Sequence, residues 1–96
     1  MIGVVAVLKV QPDKTGDFET VFLDLQQKVK ANEPGCIVYQ LTKSRAEANL
    51  YRVLELYQDQ ASLDAHAKTD TARAAFAKMG GCLAGKPDLE FLDAVV

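Results

Sequence analysis

The chain has 96 residues, with 11 lysines and arginines against 13 aspartates and glutamates, and its net charge at pH 7 is −2. The basic residues are scattered, which argues against a nucleic-acid surface, and no apolar run approaches the roughly 20 residues that span a membrane. We expect one domain with a modest core, and a cytoplasmic location because the start of the chain lacks the basic lead of a secretory signal.

The first part of the sequence predicts a strand and a helix. Residues 2–10 form a β-branched run with large apolar side chains on both faces, so both faces of this strand must be covered. Asp13 is a candidate N-cap for a helix that reaches about Asn32. The apolar stripe of this helix comprises Phe18, Val21, Phe22, Leu25 and Val29.

A second and a third strand form a predicted hairpin. The Glu-Pro-Gly sequence at 33–35 ends the helix, because the residue before a proline is pushed out of the helical region. A strand begins at Cys36, and a polar turn at 43–49 leads to its partner at 50–58. One face of the second strand is predicted to carry Ile37, Tyr39 and Leu41. One face of the third strand is predicted to carry Tyr51, Val53, Glu55 and Tyr57.

Two helices follow the hairpin. Asp59 is a candidate N-cap for a short helix over 60–67, and Thr69 or Asp70 can cap a longer one over 71–84. The buried stripe of the longer helix is predicted to comprise Ala72, Ala75, Phe76, Met79 and Leu83. Glycine and proline just beyond this helix end it.

A last strand over 89–96 completes the order βα ββ αα β. This order predicts an α+β fold of the ferredoxin-like kind, an antiparallel four-stranded sheet with helices on one face. The other face would then expose apolar side chains of the first three strands. We therefore expect a homodimer in which two copies pack sheet against sheet through that face.

Glu55 and His66 are predicted to line one pocket and to be catalytic. His66 lies one helical turn from Leu63, on the side that a short helix would place against the sheet. An imidazole can take a proton from a phenol or quinol near neutral pH, while Glu55 hydrogen-bonds the ring and stabilises the imidazolium. The alternative is a buried structural hydrogen bond with no substrate.

Aromatic side chains are the candidates for binding a small-molecule substrate. Tyr39, Tyr51 or Tyr57 could bind a substrate oxygen, and Phe22 and Phe76 could contact its apolar part. The alternative is that these aromatic residues only fill the core or an interface.

Several of these residues, taken in order, resemble a known family. They are the glutamate, proline, glycine and cysteine at 33–36, Tyr39, VLELY at 53–57, Asp59, LDAH at 63–66 and KTD at 68–70. They resemble the antibiotic biosynthesis monooxygenase domain family over nearly the whole chain. The resemblance implies a dimeric α/β barrel with a pocket between each sheet and its helices. It places the family's acidic residue on Glu55 and its histidine on His66.

The resemblance implies several chemistries: cofactor-free oxidation of phenols and quinols by dioxygen, haem degradation, and isomerisation of a phosphorylated autoinducer sugar. The tryptophan, histidine and asparagine of the haem-degrading branch fall on His66, Phe76 and near Val7, which argues against haem. The chain has no tryptophan, so a bulky polycyclic substrate is not expected.

The sequence therefore predicts a cofactor-independent monooxygenase that oxidises a small quinol or phenol. No metal is expected, since the chain has one histidine and its two cysteines lack ligand spacing, and no glycine-rich flavin or nicotinamide motif is present. Two alternatives stay open. One is an isomerase of a small phosphorylated sugar, which would need a basic phosphate site, and the other is a non-catalytic dimer that binds a small molecule.

Overall fold

The computed structural model describes residues 1–95, and these form four strands and three helices. In chain order the elements are β1 (Ile2–Lys9), α1 (Thr15–Asn32), β2 (Cys36–Lys43), β3 (Leu50–Tyr57), α2 (Gln60–Lys68), α3 (Asp70–Gly80) and β4 (Asp88–Asp93). The strands lie in the order β2-β3-β1-β4, and every neighbouring pair is antiparallel. This confirms the predicted α+β, ferredoxin-like fold. The predicted last strand reached Val96, which lies outside the described residues.

The core forms where α1 and α3 pack on one face of β1 and β3. Most of its largest fully buried side chains come from β3 and from the predicted stripe of α1, namely Tyr51, Val53, Phe18, Phe22, Leu25 and Val29, and Val10, just after β1, is buried with them. Every residue of β4 is exposed, so the helices leave this edge of the sheet uncovered. None of the three helices within residues 1–95 combines the length and apolar composition needed to cross a membrane.

The prediction that Asp13 caps α1 was wrong. The helix begins at Thr15, its N-cap position is Lys14, and no side chain among residues 1–95 caps it. The backbone N–H of Lys14 instead donates to the carbonyl of Gln11 at 2.9 Å, which closes a turn and leaves Asp13 exposed within it. The prediction for α2 is confirmed, since Asp59 accepts a backbone hydrogen bond at its start, and of the two candidates for α3 the cap is Thr69.

A β-bulge at the start of β2 changes which side chains face the helices. Cys36 pairs with Tyr57 while Val38 pairs with Leu56, so Ile37 is the extra residue. As a result Ile37 is half exposed, and the side chains that pack against the core are Cys36, Tyr39 and Leu41. The predicted face was therefore wrong for Ile37, because simple alternation does not allow for an inserted residue.

Helix α3 ends at Gly80, four residues earlier than predicted, and Leu83 lies beyond it. Two consecutive glycines weaken the helix at this point. The chain then pairs with the end of β1: the N–H of Ala84 donates to the carbonyl of Lys9 at 2.7 Å, and Leu83 forms an isolated β-bridge with Val10. Phe76, predicted to be buried in the stripe of α3, is 42% exposed.

The face of the sheet that carries no helix is rich in partly or largely exposed apolar side chains. We call it the open sheet face, and its apolar residues are Val5, Val7, Val38, Leu54, Leu56 and Leu92. They lie on adjacent strands in register, so they form one continuous patch rather than isolated exposed residues.

Candidate active site

A cavity of about 940 Å³ lies between the sheet and helices α2 and α3. We call it the main cavity. Its floor is the helix-facing side of β1 and β3, α2 and α3 contribute one wall, and Leu89 and Phe91 of the uncovered strand β4 form its outer edge. Most of its lining is apolar. The polar groups that matter for chemistry are Glu55, His66 and Tyr39.

Strand pairing brings Glu55 into the floor of this cavity. Glu55 pairs with Tyr39 on one side and with Val4 on the other, and Val4 pairs in turn with Phe91. The floor therefore runs from a polar end at β2 and β3 to an apolar end at β1 and β4. The predicted placement of a carboxyl among apolar and aromatic neighbours is confirmed.

His66 projects from α2 into the same cavity and is 4% exposed. Three aromatic rings surround the imidazole, with centroid distances of 5.0 Å to Tyr39, 5.6 Å to Tyr57 and 6.0 Å to Phe76. Its Nδ1 lies 2.8 Å from Oε1 of Glu33. Its Nε2 has no hydrogen-bond partner among residues 1–95, and it is not sealed from the cavity.

The expected hydrogen bond between Glu55 and His66 is corrected by this geometry, because the carboxylate on the imidazole belongs to Glu33. The two predicted residues do share the cavity, but each is held by a different partner. Sequence reasoning missed Glu33 as a site residue. The signal available was a carboxylate at the end of a helix, immediately before a Pro-Gly turn that returns the chain to the sheet.

Glu55 is held by Tyr57, whose hydroxyl donates to Oε1 of Glu55 at 2.6 Å. Burial raises the pKa of Glu55, and the hydrogen bond from Tyr57 and the nearby His66 oppose that effect. Burial and the charge of Glu55 also raise the pKa of Tyr57, so this phenol keeps its proton at neutral pH. The pair supplies a carboxyl group that can hold a proton inside an apolar cavity.

The aromatic residues predicted to bind substrate separate into two groups. Phe22, Tyr39 and Phe76 line the main cavity. The Tyr39 hydroxyl has no hydrogen-bond partner among residues 1–95, so it is available to a bound molecule. Tyr57 is fully buried behind Glu55 and His66 and does not line the cavity.

Tyr51 lies elsewhere. Its ring packs on Phe18 with a centroid distance of 4.9 Å, and its hydroxyl donates to Glu19 on the outer side of α1, where Lys43 also reaches that carboxylate. It does not line the main cavity, although it shares a face of β3 with Glu55. The helix above the sheet separates the two, because α1 covers the end of β3 that carries Tyr51.

Within residues 1–95 no cluster of three histidine, cysteine, aspartate or glutamate side chains has the arrangement of a metal site. The two cysteines are free thiols. Burial and the charges of Glu33 and Glu55 raise the pKa of Cys36 to about 11.

The chain is similar in sequence and in fold to several proteins of known structure. A solved structure of a provisionally named antibiotic biosynthesis monooxygenase from Caulobacter crescentus CB15 is 60% identical, with a TM-score of 0.97 over 99% of this chain and 90% of that one. A conserved protein from Methanosarcina mazei Go1 is 27% identical, with a TM-score of 0.90 over 95% of this chain and 89% of that one.

A curated relative, an uncharacterized protein from Synechocystis sp. (strain ATCC 27184 / PCC 6803 / Kazusa), is 32% identical over 68 residues. The match covers 71% of this chain and 46% of that protein, so the chain spans about half the length of this relative. The family model for antibiotic biosynthesis monooxygenases matches residues 1–78, which include Glu33, Glu55 and His66. The chain belongs to the antibiotic biosynthesis monooxygenase family.

Proposed function

We propose that this protein is a cofactor-independent monooxygenase that oxidises a small quinol or phenol with dioxygen. The observation that carries the proposal is Nε2 of His66, which has no hydrogen-bond partner in the described part of the chain and lies in a mostly apolar cavity that Glu55 and Tyr39 also line. Membership of the family supports monooxygenase chemistry as a class. Glu55, His66 and Tyr39 lie together at one end of the cavity, which suits a substrate whose hydroxyl-bearing ring binds at that end.

The first step is proton transfer. Nε2 of neutral His66 accepts the proton of a substrate hydroxyl, so the O–H bond breaks and an imidazolium forms. The Tyr39 hydroxyl donates a hydrogen bond to the resulting phenolate oxygen. The apolar side chains around this polar end reduce the contact of the anion with water, which keeps the anion reactive.

Dioxygen then reacts with the electron-rich ring. The quinolate gives one electron to dioxygen, and the two radicals combine at an adjacent ring carbon to form a C–O bond. The terminal peroxide oxygen takes the proton from His66, which gives a hydroperoxide. The substrate supplies all the electrons.

Collapse of the hydroperoxide completes the reaction. The ring carbon loses its proton, the O–O bond breaks, and the leaving hydroxide takes a proton to become water. Glu55 is placed to supply that proton and recovers one from the ring carbon, because burial favours its protonated form. The balance is quinol plus dioxygen to hydroxyquinone plus water, with one oxygen atom in each product.

The cavity favours this reaction over isomerisation of a phosphorylated sugar. Among the described residues that line it, Lys68 is the only lysine or arginine. Arg52, which follows Tyr51 in β3, is exposed and pairs with Val7 and Thr42 on the open sheet face, so it does not face the cavity. A phosphate group would thus meet one cation and three acidic side chains, those of Glu55, Asp64 and Asp93.

We also infer that two copies pair through the open sheet face. Its six apolar side chains lie together on neighbouring strands, and a monomer would leave them in water. A twofold contact would cover this patch and leave the helix side outside the interface, and it would reach the main cavity at β4, where Leu92 borders both.

Oxygen consumption tests the proposed function. Purified protein is incubated with a panel of small quinols and phenols, and dissolved oxygen is followed with an electrode. We expect uptake that falls at least 100-fold in kcat/KM in His66→Ala and by a smaller factor in Glu55→Gln. Tyr51→Phe is the matched control, because Tyr51 lies outside the cavity, and it should keep the parent rate.

Labelled dioxygen adds a second test. One labelled atom should appear in the organic product and the other in water. If His66→Ala and Glu55→Gln both oxidised an accepted quinol at the parent rate, the assigned roles would be wrong. Turnover without oxygen would instead indicate an isomerase, and binding without any product would indicate a binding protein.

A further inference from the structure

We propose that Glu33 is a positioning residue for His66: its carboxylate holds the imidazole in the tautomer with the proton on Nδ1, which leaves Nε2 as the proton acceptor on the cavity side. The catalytic importance of this contact rests on the proposed function. The contact itself does not, because it can be measured without any substrate.

The backbone of Glu33 is fixed on both sides. Its N–H donates to the carbonyl of Val29 at 2.8 Å, at the end of α1, and its own carbonyl accepts from the N–H of Cys36 at 3.0 Å, at the start of β2. Pro34 follows directly and fixes its own φ. The Glu33 carboxylate therefore projects from a rigid corner rather than from a flexible loop.

The two side chains meet away from bulk water. The Glu33 side chain is 16% exposed and the His66 side chain is 5% exposed, and the Nδ1 to Oε1 distance is 2.8 Å. The rings of Tyr39, Tyr57 and Phe76 around the imidazole limit its rotation. A ring flip would move Nδ1 away from Glu33, which is the only carboxylate that it contacts among residues 1–95.

The chemistry of the acceptor decides the tautomer. An ionised carboxylate accepts hydrogen bonds and cannot donate them, so Nδ1 must carry a proton to bond Glu33. The neutral imidazole then has its basic lone pair on Nε2. The hydrogen bond at Nδ1 therefore decides that Nε2 is the nitrogen that takes part in chemistry. When Nε2 takes a proton from a substrate, the Glu33 carboxylate stabilises the resulting cation, as a carboxylate behind a histidine does in other enzymes.

A purely structural contact predicts something different. It would tie α2 to the end of α1 and affect folding, but it would leave the tautomer of His66 without any role in turnover. The test must therefore measure which nitrogen of the His66 ring carries the proton. The chain is well suited to this, because it contains one histidine, so the imidazole signals belong to His66 and only Nδ1 and Nε2 have to be told apart.

The experiment is ¹⁵N NMR of the imidazole in the substrate-free protein, recorded in the alkaline plateau of the ring's own titration. We expect the parent protein to show one tautomer, with the proton on Nδ1. Glu33→Ala should shift the population toward the tautomer with the proton on Nε2. Glu33→Gln keeps the size of the side chain and a carbonyl acceptor, so it should retain the parent tautomer. Glu47→Ala, which removes an exposed carboxylate on the β2–β3 turn, is the matched control and should change nothing.

Turnover supplies the second readout. With an accepted quinol, kcat should fall about 10- to 100-fold in Glu33→Ala with little change in KM, and less in Glu33→Gln. A parent spectrum with the proton on Nε2, or a Glu33→Ala spectrum identical to the parent, overturns the proposal even if the variant is less stable. The expected spectra without any oxygen uptake would support the positioning role and count against the proposed oxidation, so the two failures are distinguishable.

Discussion

The hydroxyl of Tyr57 donates a 2.6 Å hydrogen bond to Glu55, two residues before it on the same face of β3. Side chains at positions i and i+2 of a strand share a face, so the strand itself places a phenol behind the carboxyl. Tyr57 is fully buried, which means that its hydroxyl serves Glu55 and does not reach the cavity. This relationship explains how a carboxyl is tolerated in an otherwise apolar floor.

Replacing Glu55 should change the pH dependence of stability. Burial raises the pKa of Glu55 above its ordinary value of 4.5, so the folded protein binds this proton more tightly than the unfolded chain. The contribution of this bound proton to the free energy of unfolding is fully present below about pH 4.5. It is lost as the pH rises through the pKa that Glu55 has in the folded protein. Glu55→Gln has no proton to lose, so its stability relative to the parent should increase from pH 4 to neutral pH.

Urea unfolding at a series of pH values measures this difference. The exposed Glu47→Gln variant is the control, and its stability relative to the parent should stay nearly constant. If the free energies of unfolding of Glu55→Gln and the parent differed by the same amount at every pH, burial would not raise the pKa of this carboxyl.

Gly35 should be intolerant of any side chain. A Cβ at this position would lie 2.1 Å from Oγ and 2.7 Å from Cβ of Ser62, in the first turn of α2. The carbonyl of Gly35 also accepts from the N–H of Gln58, so the backbone cannot move away freely. Gly35→Ala should therefore destabilise the fold by about 1–3 kcal/mol through overpacking.

A double-mutant cycle checks the cause. Ser62→Gly removes both clashing atoms, so Gly35→Ala should cost at least about 1 kcal/mol less in that background. Gly16→Ala is the matched control, since a Cβ there meets nothing within 4 Å, and alanine in the first turn of α1 should stabilise by about 0.5–1 kcal/mol. An equal cost in both Ser62 backgrounds would point to backbone strain instead of a clash.

Local periodicity explains which parts of the fold and site were predictable. The period of two along β3 placed Glu55 and Tyr57 on one face, and the spacing of apolar residues placed Phe22 against the sheet. The cap at Asp59 depends only on a side chain and the backbone three residues later, at Ser62. Each of these features is encoded within a few residues of sequence.

The features that were missed depend on distant parts of the chain. Glu33 and His66 are 33 residues apart, and their contact depends on how closely the turn at Gly35 lets α2 approach. The bulge at Ile37 adds a residue that no alternation pattern reveals. The early end of α3 was the exception, because consecutive glycines at 80 and 81 were visible in the sequence and weaken a helix.

Cys36 should react slowly with alkylating reagents in the folded protein. Burial, followed by the charges of Glu33 and Glu55, raises the pKa of its thiol from 9.0 to about 11. The thiolate fraction at pH 8 is then about 100-fold lower, and the higher nucleophilicity of a more basic thiolate offsets part of this loss. A net rate about 10-fold below that of the unfolded chain is expected.

Iodoacetamide labelling followed by peptide mass spectrometry measures this rate, because it reports Cys36 separately from the buried Cys82. Native protein at pH 8 is compared with the same protein in urea. Equal rates in the two states would mean that neither burial nor the two carboxylates acts on the thiol.

The open sheet face should lose its ability to pair when one charge is placed on it. Leu54 is 41% exposed at the centre of this face, where it pairs with Val5 and Gln40. Burying an aspartate there without a partner costs several kcal/mol, so Leu54→Asp should weaken dimerisation at least 100-fold. Leu23→Asp is the matched control, because Leu23 is 48% exposed and belongs to α1, which packs on the other face of the sheet.

Sedimentation velocity at micromolar concentration distinguishes the outcomes. The parent and Leu23→Asp should sediment as dimers and Leu54→Asp as a folded monomer, with circular dichroism confirming the secondary structure. The main cavity lies on the opposite side of the sheet from Leu54, so the monomeric variant should also keep its Glu33 to His66 hydrogen bond. A parent protein that sediments as a monomer would remove the open sheet face as an interface, because no partner copy would then cover its apolar side chains.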